Sequence, residues 1–241
     1  MIIRFFSFVI KAIRIMWSVI SFGGHTLLLS TTNRENKFYI YAKKWGKKVL
    51  KIVGVRLDIK GLENINHHQS YIFVANHSNL FDIPILQATI PNDFRIIYKK
   101  ELERIPFFGL VLKKSPYIST RRDASKTTMG SIEQALYQVR KGASVLVFPE
   151  GTRSKDGHLG TFKRGAFMLA YRSGKPIVPI TIIGSNLIFP SGKFEFNPVK
   201  VRVIIDKPIE IPEVETKSEE IKVMNSIHSI INENIITRGF K

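Results

Sequence analysis

Cysteine is absent from the 241 residues. That absence removes disulfides, thiolate metal sites and a cysteine nucleophile together, and it is compatible with a reducing compartment. Acidic residues are scarce: 19 Asp and Glu stand against 37 Lys and Arg, for a formal charge of +18. Such an excess attracts polyanions, whether nucleic acid, an anionic membrane surface or a phosphorylated substrate. Charge alone does not choose among the three. Histidine occurs at 25, 67, 68, 77, 158 and 228 without metal-ligand spacing, so no metal is implied. No internal repeat or low-complexity tract is visible. A chain of this length, 44% hydrophobic, can bury the core of one α/β domain with an appended element.

The first 31 residues are strongly apolar, interrupted by Arg4, Lys11 and Arg14. Projected at 100° per residue, Arg4, Ser7, Lys11, Arg14, Ser18 and His25 fall within one narrow arc. A membrane-crossing anchor has no need to collect its charges on a stripe. A helix lying in one leaflet, with a polar edge toward the headgroups, does, so this reading is favoured over a crossing anchor. No small-residue cleavage site follows the run, which argues against a signal peptide. Gly23-Gly24 is a potential break. A second amphipathic stretch, 36–53, carries Phe38, Tyr41, Trp45, Val49 and Ile52 on one side and lysines at 37, 43, 44, 47, 48 and 51 around the rest, the pattern of a basic helix on anionic lipid or of a solvated face packed on the main domain. We therefore expect a membrane-associating helical element over 1–53 and the main domain over 54–241.

From Val55 the pattern changes to short β-rich runs separated by turns and helical segments. Strands are predicted at 55–60, 71–75, 94–98, 117–119, 144–148, 177–183 and 201–205, and helices at 83–89, 125–141, 163–172 and 219–235. These predict an α/β fold: a mixed central sheet of about seven strands flanked by helices.

Two predicted strand ends carry chemistry. The strand at 71–75 runs into Asn76-His77-Ser78-Asn79-Leu80-Phe81-Asp82, and Pro84 suits the first turn of a following helix. Loops at strand C-termini are where α/β folds assemble sites. A histidine accepts a proton near neutral pH, and a carboxylate on its other ring nitrogen fixes the tautomer. His77 and Asp82 are too far apart in sequence to align on one helix, so the corner must bring them together. Ser78 is not automatically within reach of His77, and a dyad that activates the substrate's own hydroxyl is the favoured reading. The residues alone also allow Asp82 to be a helix cap and His77 a polar loop residue. The second strand end, Phe148-Pro149-Glu150-Gly151-Thr152-Arg153, closes on a guanidinium whose rigid fork suits phosphate. Beyond it Lys163 and Arg164 open a predicted helix whose N-terminal amides favour an anion.

At this point the chain resembles the glycerolipid acyltransferase family, most like its bacterial 1-acylglycerol-3-phosphate acyltransferases. The family's His-x4-Asp motif matches His77 to Asp82. Its second block is similar to Lys99-Lys100-Glu101-Leu102 with Ile105-Pro106-Phe107-Phe108-Gly109, its third matches 148–153 without change, and its fourth matches Val178-Pro179-Ile180. The resemblance implies transfer of an acyl group from acyl-CoA or acyl carrier protein to the free hydroxyl of lysophosphatidic acid, with no cofactor. It implies His77 as general base and Asp82 as its orienting partner. Phosphate binding would fall to Glu150, Gly151, Thr152 and Arg153, with Arg153 the leading candidate for direct contact and Glu150 positioning it, Lys99 on phosphate or oxyanion, and Arg121, or else Arg122, as a further phosphate ligand. In Pro106-Phe107-Phe108-Gly109 the aromatic pair could line an acyl groove or face core or membrane. Glycerol 3-phosphate or another lysolipid as acceptor, a lipid hydrolase using the same dyad on water, and a non-enzymatic basic membrane-binding or nucleic-acid-binding protein are the alternatives. The expected partners are anionic membrane lipid, lysophosphatidic acid and the acyl donor, not nucleic acid, at the cytoplasmic face of the inner (cell) membrane.

Overall fold

β-Branched residues fill the short runs that become strands, and their stiff side chains suit a pleated sheet covered on both faces. In the computed structural model, residues 2–32, 37–120, 125–154, 157–190, 192–211 and 216–239 are described. The order is α1 (Ile2–Thr31), α2 (Phe38–Val53), β1 (Arg56–Lys60), β2 (Ile72–Ala75), α3 (Asp82–Thr89), β3 (Phe94–Lys99), α4 (Phe108–Lys114), β4 (Ile118–Thr120), α5 (Ser125–Arg140), β5 (Ser144–Val147), α6 (Gly165–Ser173), β6 (Ile177–Ile183), β7 (Lys200–Ile205) and α7 (Lys217–Thr237). The strands form one seven-stranded sheet in the order β1-β7-β6-β2-β5-β3-β4. Every neighbouring pair is parallel except β6 with β7. The expected mixed sheet is therefore present, and the C-terminal ends of β2, β5, β3 and β4 lie along one edge.

β2 is buried along its whole length and divides its side chains between two layers. Phe73 and Ala75 join Val49, Leu50 and Val53 of α2 and Ile85 and Leu86 of α3. Ile72 and Val74 join Ile132 and Leu136 of α5, Phe167 and Leu169 of α6, and Ile227 and Ile231 of α7. The layers hold β2 rigid from both sides, so the residues just past its end start from a fixed point.

The N-terminal segment departs from expectation at Gly23-Gly24. α1 runs unbroken through Gly23 and Gly24. At Gly23 an added Cβ would lie 2.7 Å from the Phe107 ring, so this glycine serves close packing against the segment before α4 and does not end the helix. Of the polar arc, Arg4, Ser7, Arg14 and His25 are exposed, Lys11 is half-buried and Ser18 is buried, while Ile15 and Phe22 pack on the core clusters. The outward face carries Phe5, Phe6, Ile10, Ile13, Met16, Trp17, Ile20 and Leu28, all exposed. α1 is long and apolar enough to cross a membrane by length and composition. On α2, Lys44, Lys47, Lys48 and Lys51 are exposed while the opposite side packs on α3. Burial, then repulsion from Lys47, holds the Lys43 ammonium below its ordinary pKa.

Candidate active site

Asn76 turns the chain out of the sheet. Its side-chain amide donates to Ile182 O at 2.9 Å and its Oδ1 accepts from Ile182 N–H at 2.7 Å, so a side chain takes the place of one more strand pair. The peptide of His77 is then held at both ends: its N–H donates to Glu150 Oε1 at 2.8 Å, and its carbonyl accepts from Ser154 N–H at 2.8 Å. The loops after β2 and β5 are thereby tied together through the main chain of His77.

The imidazole Nδ1 lies 2.7 Å from Asp82 Oδ2, with side-chain exposures of 17% and 0%. An ionised carboxylate only accepts, so Nδ1 carries the hydrogen and Nε2 presents its lone pair. Asp82 Oδ2 also accepts from Ser78 N–H and Asn79 N–H, each at 2.8 Å. Asp82 therefore organises the loop before α3 as well as the ring, and a plain helix cap would have bonded amides inside the helix instead. Phe148 stacks on the imidazole, with ring centroids 4.1 Å apart and planes 19° from parallel, which limits the ring to one orientation. Ser78 Oγ pairs with Ser185 Oγ at 3.0 Å. Its hydroxyl is thus engaged away from His77, and the arrangement is that of a base waiting for a substrate hydroxyl.

Beside the dyad a cleft of about 480 Å3 is lined by Ser78, Asn79, Leu80, Lys99, Thr152, Arg153, Ser154, Asn186, Phe189, Pro190 and Gly192. Lys99 from the end of β3 and Arg153 from the loop after β5 thus face the same space, and an anion between them would gain charge-assisted contacts. Gly151 turns that loop at φ +71°, a conformation side chains resist, and an added Cβ would meet Lys163 Nζ at 2.9 Å. The Lys163 side chain thus crosses the turn, while Arg164 pairs with Glu220 of α7. An apolar recess of about 250 Å3, lined by Ile97, Val147, Phe148 and Leu169 among others, shares Lys99 with the cleft. A cavity of about 580 Å3 lined by Asp93, Arg95 and Lys141 lies at the N-terminal ends of β3 and β5 and has no part in this site.

Glu150 is placed differently from the other residues of its motif. It is buried, its second oxygen accepts from Gly160 N–H at 2.9 Å, and it is not among the side chains lining the cleft. Burial pushes its carboxyl above the usual range, while the His77 and Gly160 amides pull it back. A carboxylate so engaged braces the His77 peptide and would repel a phosphate. Arg121 and Arg122 lie outside the described residues. Among the described residues no group of three or more His, Asp or Glu is placed to hold a metal ion. Sequence reasoning gave Asn76 no role, and its position between a buried strand and a histidine was the available signal.

Residues 56–183 match the protein family described as Acyltransferase. The chain belongs to the acyltransferase family. It is similar to 1-acyl-sn-glycerol-3-phosphate acyltransferase BAT2, chloroplastic, of Brassica napus, with 35% identity over 79% of this chain and 56% of that protein. A 1-acyl-sn-glycerol-3-phosphate acyltransferase of Borreliella burgdorferi is 28% identical over 78% of this chain and 73% of that protein. The acyltransferase fold here also resembles the crystal structure of the 1-acyl-sn-glycerophosphate (LPA) acyltransferase, PlsC, from Thermotoga maritima, with a TM-score of 0.81, 24% identity and coverage of 97% of this chain and 95% of that one. The chain spans little more than half the length of the plant relatives it matches.

Proposed function

We propose that this acyltransferase moves a fatty acyl group from an acyl thioester, acyl-CoA or acyl carrier protein, to the free sn-2 hydroxyl of 1-acylglycerol 3-phosphate, giving phosphatidic acid. The observation that carries the reading is the 2.7 Å contact of His77 with buried Asp82 beside a cleft whose cations come from two other strand ends. His77 Nε2 takes the acceptor's hydroxyl proton as the oxygen attacks the thioester carbonyl. Asp82 stabilises the imidazolium that forms, and the proton then passes to the departing thiolate as the tetrahedral intermediate collapses. Arg153 and Thr152 grip the phosphate. Lys99, shared by the cleft and the apolar recess, stabilises phosphate or the developing oxyanion. Glu150 and Gly151 act by shaping the loop.

Residues 1–53 form the membrane-associating element in this reading. The exposed apolar face of α1 enters the lipid, and the lysines of α2 meet anionic headgroups, each worth about 1 kcal/mol near the surface. In this reading the enzyme works at the cytoplasmic face of the cell membrane. The test is transfer of a labelled acyl group to lysophosphatidic acid, glycerol 3-phosphate and lysophosphatidylcholine, followed by identification of the product head group. Phosphatidic acid as the main product is expected. Free fatty acid released without any acceptor would overturn the reading in favour of a hydrolase.

A further inference from the structure

The cationic cleft also has apolar lining. Leu80, Phe189 and Pro190 share its lining with Lys99, Thr152 and Arg153, and Leu80 is 57% exposed although it stands only two residues before Asp82. From Phe189 the apolar surface continues outward. Phe8 of α1 stacks on Phe189 with centroids 6.2 Å apart, and it lies 4.9 Å from Phe196 and 5.9 Å from Phe194. Phe194 is 74% exposed, far more than a packing role requires. Its charged neighbours Lys193 and Glu195 lie 3.9 Å apart, close enough to pair with each other. An apolar strip therefore runs from the cleft, across the loop after β6, to Phe8 of α1.

We propose that this strip seats the acyl tail of the acceptor lysolipid, which leaves the cleft between Leu80 and Phe189 and passes Phe194 to reach α1. The inference rests on the acyltransferase reading and adds to it where the acceptor's tail lies. A ligand with an anionic head and one alkyl chain matches a cleft lined by both cations and apolar side chains. The strip lets the tail stay against apolar side chains as far as α1 while the head reaches His77. Each methylene held on the strip lowers KM by roughly twofold to fourfold. An acceptor with a short tail, or none, is then used poorly even though its phosphate is recognised.

The test uses the full chain in detergent micelles, which separates tail binding from attachment to a bilayer. KM is measured for hexanoyl and hexadecanoyl lysophosphatidic acid at a fixed acyl-CoA, and then for acyl-CoA donors of several lengths at a fixed acceptor. Phe194→Ser should raise KM for the hexadecanoyl acceptor about tenfold, leave the hexanoyl value within about twofold, and leave the dependence on donor length as in the wild type. Phe194→Leu should recover most of the loss. Ile236→Ser, at an exposed apolar residue of α7, should change neither value. An equal rise for both acceptors, a shift that follows donor length, or a wild-type KM indifferent to acceptor tail would each overturn the proposal while leaving the transfer reaction intact. Undiminished transfer by His77→Ala would instead overturn the enzymatic reading beneath it.

Discussion

Gly46→Ala tests whether the seating of α2 on α3 fixes the carboxylate of Asp82, proposed above to orient His77. Gly46 faces the first turns of α3, where an added Cβ would lie 2.6 Å from Pro84 O and 3.0 Å from Gln87 Cβ. Ordinary contact begins near 3.4 Å, so the helices must separate by roughly 0.8 Å, and overpacking of this kind costs about 1–3 kcal/mol. For a chain of this size that lowers Tm by about 2–12 °C. The obstacle is a main-chain carbonyl two residues after Asp82, so α3 cannot relieve it by a rotamer change and must carry Asp82 with it. A misplacement approaching 1 Å at a reacting group costs on the order of 100-fold in rate. Thermal unfolding and turnover of lysophosphatidic acid, measured on the same preparation, should therefore both fall, with acceptor KM little changed because the cations come from β3 and the loop after β5. Wild-type turnover in a variant with lowered Tm would refute the coupling. An unchanged Tm would refute the packing itself.

Glu150→Gln keeps one acceptor but sets an NH2 group against a buried amide of His77 or Gly160, at a cost of about 1–3 kcal/mol. It should lower Tm and turnover, and a rise in acceptor KM alone would show that Glu150 meets the substrate. Arg153→Ala should raise KM for a phosphorylated acceptor about 10–100-fold and leave an uncharged monoacylglycerol unaffected, as steady-state kinetics on the two acceptors would show. Asp58 binds β1 to β7, accepting from Arg202 Nε at 2.9 Å, and Arg202 first, then Lys200, holds its carboxyl below the ordinary 3.8. With a depressed folded pKa, its stabilisation is present above 3.8 and is lost as pH falls through the folded value. Asp58→Asn should thus be less stable than wild type at neutral pH, and denaturant midpoints for the two should converge in acid.

The strands were legible because each is a run of β-branched residues between turns, and the His77–Asp82 corner was legible because a histidine and an acid follow a buried strand closely. α4 escaped notice: it is seven residues long and preceded by Phe107 at φ +61°, too short for periodicity to register. The arc of polar residues on α1 was legible by projection, which shows the residues that share a side and not which of them, like Ser18, pack on the protein. A positioning role for Glu150 was legible, but not its partners, since His77 and Gly160 become its neighbours only when the loops after β2 and β5 are brought together. The demand for glycine at 46 arises in the same way, from a contact with α3 that no local signal announces.

The central claim is that the imidazole of His77, aligned by Asp82, removes the proton of a lysolipid hydroxyl. Formation of labelled phosphatidic acid from lysophosphatidic acid and an acyl thioester, followed in wild type, His77→Ala and Asp82→Asn under one set of conditions, tests it most directly. Wild type should form the product, and His77→Ala should lose about 100- to 10,000-fold in turnover, with Asp82→Asn also impaired while acceptor KM stays near wild type in both. Equal rates for the three proteins would contradict the mechanism.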